Sequence, residues 1–600
     1  MPLARGSARE GGGAGRVPGQ APPRASAPAG AALGMDAPLS SQSDAEDRGA
    51  GQAMTAPARA AVGARARQAG TAPRARQAVT GPLEAAPAGT TAGEASAAPP
   101  AATSAGAAVG RATIASPEAA EPWPEALRAA VAARGERREQ ARPLVMETAF
   151  TGLGSQARMW RATGLRFREL ATADPKPAAK TFLAANGLMG EHHFDDVRAL
   201  YAGGPAACAR CGRGCRAPEE RPDFFAGGFP CQPTSPMRRS QKRARAEEHP
   251  SWDAVRAVAD YLLARRPRVA LLEQTMGALS EDSFGGVAMN ECQWLEQAVG
   301  GAYAVAVAVL SLEPWVRARR ARVWLFLVSR DLPAAGADRP GEVWAAEALA
   351  ARAARLGEAL EASRRERPPR SFRSFVFPRG DPRWPAVSVA LLRGPLRTAA
   401  SAEASPAWRT IAERRRAQMR EAGCPWADAH PMERAELLGV SPTERSREVL
   451  EVALLSAAAR SGFDPGRPED LAALTASFWC DVSQNDMRGG GATPTFCTST
   501  RLYDYAEDRL VTPSEMLRAL GWADGGDEPS LRGLSWAQCQ DLVGESQALP
   551  PLAVASWALV LAAGDALPGL WVAPAAPAEP GRNVDRPEGA AAASGARGRR

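Results

Sequence analysis

Cys231 stands in Gly228-Phe229-Pro230-Cys231-Gln232-Pro233, directly after the apolar run Asp223-Phe224-Phe225-Ala226-Gly227. A structural cysteine packs inside an apolar element. This one is flanked by Gly, Pro, Gln and Pro, and the ring of Pro230 restricts φ and stiffens the turn. A free thiol is only a few per cent ionised near neutrality, so a nucleophilic role needs local help. The basic residues Arg238, Arg239, Lys242, Arg243 and Arg245 could lower the thiol's pKa, hold phosphates or form a nuclear-import cluster. A solvated charged loop is the plain alternative. Glu273, after the four apolar residues Val269 to Leu272, is the best acid–base partner, because part-burial of a carboxyl favours its protonated form. The four histidines, His192, His193, His249 and His430, lie far from Cys231 in sequence and give no positive support for a Cys–His pair.

Other suggestive groups also fall at the ends of expected strands. Gly152 and Gly154 let the backbone approach a ligand closely, although a plain tight turn explains them as well. Asp174 stands where an acid can bond a ribose hydroxyl, or it is a solvated loop residue. Asp196 could bond an adenine amino group, or it caps a helix. Cys208-x-x-Cys211-x-x-x-Cys215 offers three thiols, whereas a structural zinc site takes four ligands. His192 or His193 is a conceivable fourth. A flexible Gly/Arg loop is the reading taken, and no metal is expected.

The elements that must position these groups alternate. Leu144 to Phe150 reads as a strand ending in a glycine turn. Phe167–Thr172 is a second strand and Pro177–Asn186 the next helix. Trp252–Arg266 has helical apolar spacing and is ended by Pro267, and Val269–Leu272 is a buried strand capped by Glu273. Met289–Val299 is a helix, Val305, Val307 and Val309 alternate as in a strand, and Val323–Val328 is a further strand. Arg509–Leu520 and Leu552–Leu561 read as helices. The apolar run Leu552–Val572 approaches membrane-span length, but Asp565 and Pro568 interrupt it, so it reads as a buried helix and a loop. Strands alternating with helices predict a mostly parallel sheet covered on both faces, with ligands at the carboxyl ends of its strands.

The 600 residues carry a net charge of +7, with Arg far above Lys. That excess is compatible with a polyanionic partner and equally with Arg-rich coding. Residues 1–140 are rich in Ala, Gly, Pro, Arg and Ser and are expected to be disordered, as is the tail 573–600. About 430 residues lie between, enough for one α/β catalytic domain and a smaller lobe. The start, Met1-Pro2-Leu3-Ala4-Arg5, lacks the apolar core of a secretory signal. Its Arg-rich, acid-poor composition suits an organelle transit segment or generic disorder, and the second is the reading taken. The nine cysteines are expected to be reduced and intracellular.

Taken in order, these residues resemble the DNA cytosine-5 methyltransferase family. Gly228 to Pro233 looks like its nucleophile motif and Phe150-Thr151-Gly152-Leu153-Gly154 like its S-adenosylmethionine glycine motif. Asp174 and Asp196 fall where its cofactor-binding acids belong. Leu272-Glu273-Gln274-Thr275 resembles the Glu-Asn-Val motif, and Arg320-Ala321-Arg322 the motif with two arginines. Arg509 to Glu515 resembles the segment that organises the recognition domain, and Gly544-Glu545-Ser546 the closing motif that returns to the cofactor pocket. The resemblance implies an S-adenosylmethionine-dependent α/β fold with a smaller target-recognition lobe. It also implies a core over 141–335, a variable region over 336–500 and C-terminal motifs over 501–572. The implied catalytic residues are Cys231, Glu273, Arg320 and Arg322. Phe150, Gly152, Gly154, Asp174, Asp196, Pro230, Gly544 and Ser546 would bind the cofactor. The implied substrate is duplex DNA with a flipped cytosine, and the expected address is the nucleus, with an organelle as the alternative.

Several positions depart from the family pattern. Thr172 and Ala173 replace an acid and an aromatic, Ser155 a glycine, Gln274-Thr275 Asn-Val, Ala318 a glutamine and Glu545 an asparagine. A lost charged hydrogen bond would weaken cofactor binding by ~1–3 kcal/mol. The expectation is a divergent active enzyme on DNA. A tRNA methyltransferase and a catalytically impaired DNA-binding paralogue are the alternatives.

Overall fold

In the computed structural model the described residues are 121–134, 139–232, 249, 251–280, 282–284, 287–332, 345–378, 381, 407–431, 444–476, 478–483, 489–490, 492–524 and 528–571. Residues 1–120, the tail 572–600 and the basic run Arg238–Arg245 lie outside them.

Trp123, Leu127 and Val131 recur at helical spacing, and they form the buried stripe of α1 (Trp123–Ala133). This corrects the expectation of disorder through residue 140. Three large apolar side chains on one face are enough to dock a helix of 11 residues, however small its other residues are. The Trp123 indole Nε1 donates to the Gly521 carbonyl at 2.8 Å in the core.

The alternating units follow. β1 (Leu144–Ala149) leads through α2 (Ser155–Thr163) to β2 (Phe167–Ala173), and β2 through α3 (Pro177–Ala185) to β3 (His192–Phe194). An edge hairpin comes next, β4 (Ala206–Cys208) and β5 (Arg213–Cys215). Then β6 (Phe224–Gly227) leads through α4 (Trp252–Arg265) to β7 (Val269–Thr275). A separate hairpin, β8 (Asp282–Phe284) and β9 (Val287–Met289), precedes α5 (Glu291–Val299). β10 (Tyr303–Ser311) and β11 (Ala321–Ser329) complete the sheet.

The nine strands lie in the order β10-β11-β7-β6-β1-β2-β3-β4-β5. β3, β2, β1, β6 and β7 are mutually parallel, β11 runs antiparallel to β7, and β10 runs antiparallel to β11. From β1 the chain first builds toward β3, then returns to lay β6 on the other side of β1. That reversal opens a crevice between the carboxyl ends of β1 and β6.

Helices cover both faces. α4 and α5 pack on one side, while α1, α2 and α3 share the other apolar cluster. α6 (Ala346–Arg365) belongs to this second layer, lying on β10 and β11. The region expected to vary from residue 336 therefore begins with a core helix, because Leu349, Ala350, Ala353 and Leu360 give it a buried face.

A second, smaller cluster is built from α7 (Ala407–Glu421), α8 (Glu444–Ser461) and α9 (Pro468–Thr475). With them goes a four-stranded sheet in the order β13-β12-β14-β15, formed by β12 (Trp479–Asp481), β13 (Gly489–Gly490), β14 (Leu502–Asp504) and β15 (Arg509–Leu510). The helix expected over Arg509–Leu520 starts only at α10 (Pro513–Leu517). Thr512 caps it in a reciprocal box with Glu515, and Pro513 suits the first helical turn, so Arg509 and Leu510 are left to extend the sheet. α11 (Trp536–Glu545) leads to α12 (Leu549–Ala563), which is apolar nearly all round and buried nearly throughout. The window that passes for a membrane span, within Trp536–Ala566, is 89% buried inside the protein, as a core helix is.

Candidate active site

Each strand end in the crevice carries a residue that the sequence singled out. After β1 the chain turns through Phe150 (φ 53°), Gly152 (φ 52°) and Gly154 (φ 73°) into α2. A Cβ on Gly154 would come within 2.7 Å of Leu183, so both conformation and space require glycine there. The turn is tied to the end of β2. Gly152 N donates to Asp174 Oδ2 at 2.8 Å, and Lys176 N to Asp174 Oδ1 at 2.9 Å. Asp174 is buried and both its oxygens serve loop amides, so its role here is to hold the two loops together. Asp196, after β3, is exposed and accepts from Arg198 N at 2.9 Å, which makes it the cap of a short 3₁₀ turn. Thr172, which replaces the family's acid, turns its hydroxyl to His193 Nδ1 at 2.7 Å.

On the other side of the crevice, β6 ends at Gly227 and the loop runs through Gly228, Phe229 and Pro230 to Cys231. β7 does not end at Leu272. It continues to Thr275, because β11 pairs with it as far as Arg322↔Thr275 while β6 stops at Gly227↔Leu272. Glu273 is thus still in a strand but just past the edge of β6, with its side chain open to the loop. A Cβ on Gly228 would lie 3.1 Å from Glu273 Oε2 and 3.2 Å from Gln547 Nε2, so these two polar groups converge over the glycine.

Arg322 stands diagonally across from Glu273 on β11, and its Nε lies 2.8 Å from Glu273 Oε1, both side chains nearly buried. Cys231 is half-buried beside this pair. Burial pushes its thiol up, the Glu273 carboxylate adds to the rise, and the Arg322 cation opposes it. The loop is held by Gln274, whose Nε2 lies 3.5 Å from the Phe229 carbonyl and 3.0 Å from Glu291 Oε1.

Arg320 does something different from its expected catalytic role. It is buried, and it donates to the carbonyls of Phe496 (2.9 Å), Gly544 (3.3 Å) and Ser546. Burial and the neighbouring Arg322 disfavour its charge. It pins the C-terminal segment to the start of β11. Gly544 is required there, since a Cβ would fall 2.2 Å from Thr498 N. Ser546 is buried and bonds its own helix end through Val543 O at 2.9 Å.

The departures from the family pattern have partners of their own. Ser155 Oγ lies 3.5 Å from the Gln547 carbonyl. Glu545 pairs with Lys176, whose Nζ also lies 2.7 Å from Asp541 Oδ2, so the closing segment is bridged to the Asp174 loop. Ala318 forms a bridge to Thr493. Lys176 and Gln547 carry no signal in the sequence. Nothing local marks Lys176, whose partner Glu545 is 369 residues away.

A doubly wound α/β sheet with a thiol, a carboxylate and a guanidinium at its switch point is the class of protein that these features define. Residues 146–348 match the family model "C-5 cytosine-specific DNA methylase". Among solved structures, the chain is similar to the Entamoeba histolytica methyltransferase EhMeth at 10% identity, with 70% of this chain and 98% of that one covered and a TM-score of 0.36. It is similar to the S. pombe Dnmt2 methyltransferase at 12% identity (70% and 98% covered, TM-score 0.33). A putative DNA modification methyltransferase encoded within a prophage of E. coli is 15% identical (71% and 99% covered, TM-score 0.36). No curated protein matches the chain.

Proposed function

We propose that this protein transfers a methyl group from S-adenosylmethionine to C5 of cytosine in DNA, with Cys231 as the nucleophile. The observation that carries the reading is the convergence of Cys231, Glu273 and Arg322 within a C-5 cytosine-specific DNA methylase domain. The donor, when bound, supplies a methyl group on a sulfonium sulfur. The glycine turn after β1 suits its amino-acid end, because a helix N-terminus and open backbone meet there. Phe150 and the exposed Asp196 carboxylate would hold the adenosine end. The ribose side has no carboxylate at Thr172, and Asp174 is already engaged.

Cytosine C5 is a poor nucleophile by itself, and a base inside a duplex must first be flipped out. The Cys231 thiolate adds to C6, forming a C–S bond and placing electron density on C5. Glu273 bonds N3 and the exocyclic amine, where charge changes during addition. Arg322 orients Glu273 and is near enough to the loop to meet the base. C5 then takes the methyl group as its bond to the sulfonium sulfur breaks and leaves a neutral thioether, a base removes the C5 proton, and the C–S bond to Cys231 breaks as the ring double bond returns, restoring the Cys231 thiolate. Nuclear residence accords with this reading.

Trapping on 5-fluorocytosine tests it, because fluorine at C5 blocks the last elimination. The wild type should form a denaturant-stable adduct with fluorinated duplex DNA in the presence of S-adenosylmethionine, and Cys231→Ala should form none. An adduct with fluorinated tRNA alone would assign the substrate to RNA. An equal yield from Cys231→Ala would remove the thiol from the mechanism.

A further inference from the structure

At the far edge of the sheet, four side chains that the methyl-transfer reading does not use come together. They are His192 at the start of β3, Cys208 at the end of β4, Cys211 in the hairpin turn and Cys215 at the end of β5. One donor atom from each lies within 4.8 Å of all the others. His192 Nδ1 is 3.8 Å from Cys208 Sγ and 3.7 Å from Cys211 Sγ. We infer that these four residues bind a structural zinc ion.

The distances fit that ion. A tetrahedral zinc with Zn–S of about 2.3 Å and Zn–N of about 2.0 Å holds sulfur and nitrogen about 3.5 Å apart, and two sulfurs about 3.8 Å apart. Three thiolates and an imidazole make a soft donor set that selects zinc over magnesium or calcium. Four protein ligands leave no open position, so the ion is structural. All four cysteine and histidine donors are already free of covalent pairing, since each cysteine in the chain is a free thiol.

The local backbone prepares the site. Gly212 has φ 67° and donates N–H to the Cys208 carbonyl at 2.9 Å, which curls Cys211 back toward Cys208. His193 N donates to Cys208 Sγ at 3.4 Å, a contact that favours a thiolate. Three thiolates and one zinc leave a net charge of −1, and the flanking Arg210, Arg213 and Arg216 offset it.

The sequence pattern had three ligands and two candidates for the fourth. Strand alternation decides between them. His192 faces the hairpin, while the His193 ring turns to the opposite side and bonds Thr172. The hairpin also needs a fastening. β4 and β5 have three residues each, of which only Cys208 is buried, and β4 meets β3 at the single pair Phe194↔Cys208. So little ladder and so little apolar burial do not hold an edge hairpin by themselves. A zinc ion joining β3, the turn and β5 does.

The test uses the full chain, purified under reducing conditions without chelator, with metal measured by mass spectrometry. We expect one zinc per chain, lost in Cys211→Ser/Cys215→Ser and retained in the control Cys424→Ser. Cobalt(II) added to zinc-stripped wild type should give thiolate-to-cobalt charge-transfer bands and the intense visible bands of tetrahedral cobalt. Zinc should protect Cys208, Cys211 and Cys215 from alkylation. These wild-type readouts decide the matter if the variants fail to fold. No metal uptake by chains with free thiols, an octahedral cobalt spectrum, or equal zinc in the double variant would overturn the assignment. None of these readouts depends on methyl transfer.

Discussion

Arg322 Nε and Glu273 Oε1 are 2.8 Å apart across neighbouring strands, and the two residues push the Cys231 thiol in opposite directions. Burial is the larger cause of the raised thiol pKa, Glu273 adds to it, and Arg322 lowers it. In the free enzyme, alkylation of Cys231 should therefore still be rising above pH ~8.5, the ordinary thiol value. Glu273→Gln removes one raising influence and leaves Arg322 unpaired. Its alkylation profile, read on the Cys231 peptide by mass spectrometry, should move to lower pH. Methyl transfer should fall in the same variant by about 10²–10⁴-fold. An unmoved alkylation profile would mean that Glu273 does not act on the thiol.

Arg320 and Arg322 are two residues apart but are expected to fail differently. Arg320→Met leaves the carbonyls of Phe496, Gly544 and Ser546 without their donor, at a cost of about 2–4 kcal/mol in stability. Urea unfolding should show a lowered midpoint. Arg322→Met should change the midpoint less while removing most methyl transfer. Equal midpoints for the two variants would refute the division of labour.

Glu169 supplies a pH dependence. It is buried, burial pushes its carboxyl up to about 8, and Thr148 Oγ1, 2.8 Å from Oε1, and the Arg161 charge oppose the rise. The folded value lies above the unfolded one, near 4.3. The contribution of the buried neutral form is then complete below pH ~4.3 and is lost as pH rises through 8. Glu169→Gln removes that loss. Its melting temperature relative to wild type should climb between pH 5 and pH 8.5, reaching a gain worth about 2–4 kcal/mol. A constant difference across that range would show that Glu169 does not titrate there.

Trp123 tests whether α1 belongs to the core. Its ring is 2% exposed and its Nε1 reaches Gly521 O, where φ is 95°. Trp123→Ala should cost about 3–5 kcal/mol, and Trp123→Phe less, because the apolar volume is mostly kept. Chemical unfolding of the pair measures this, and unchanged stability in Trp123→Ala would detach α1 from the fold.

Much of the catalytic side was legible because it is local. The Pro230-Cys231 turn, the Gly152–Gly154 turn and the apolar runs before them are written in consecutive residues. The cofactor side was less so. Asp174 and Asp196 were correctly placed at strand ends, but Asp174 spends its oxygens on loop amides and Asp196 caps a turn, and such partners follow from packing. The helix at Trp123 was hidden by the Ala- and Arg-rich residues around it. Three apolar residues four apart carried its signal.

The sequence by itself determined the alternation of strands and helices, the loops that end the strands, and the thiol carried in one of them. These depend on the periodicity and turn chemistry of neighbouring residues. Only the tertiary structure decided which loops meet. Placing β6 against β1 opened the crevice, and pairing β7 with β11 set Glu273 on Arg322. The same long-range closure gave Lys176 to Glu545, Arg320 to Ser546 and His192, not His193, to the three thiols. Contacts between residues tens to hundreds of positions apart depend on strand order and register, which no local pattern encodes.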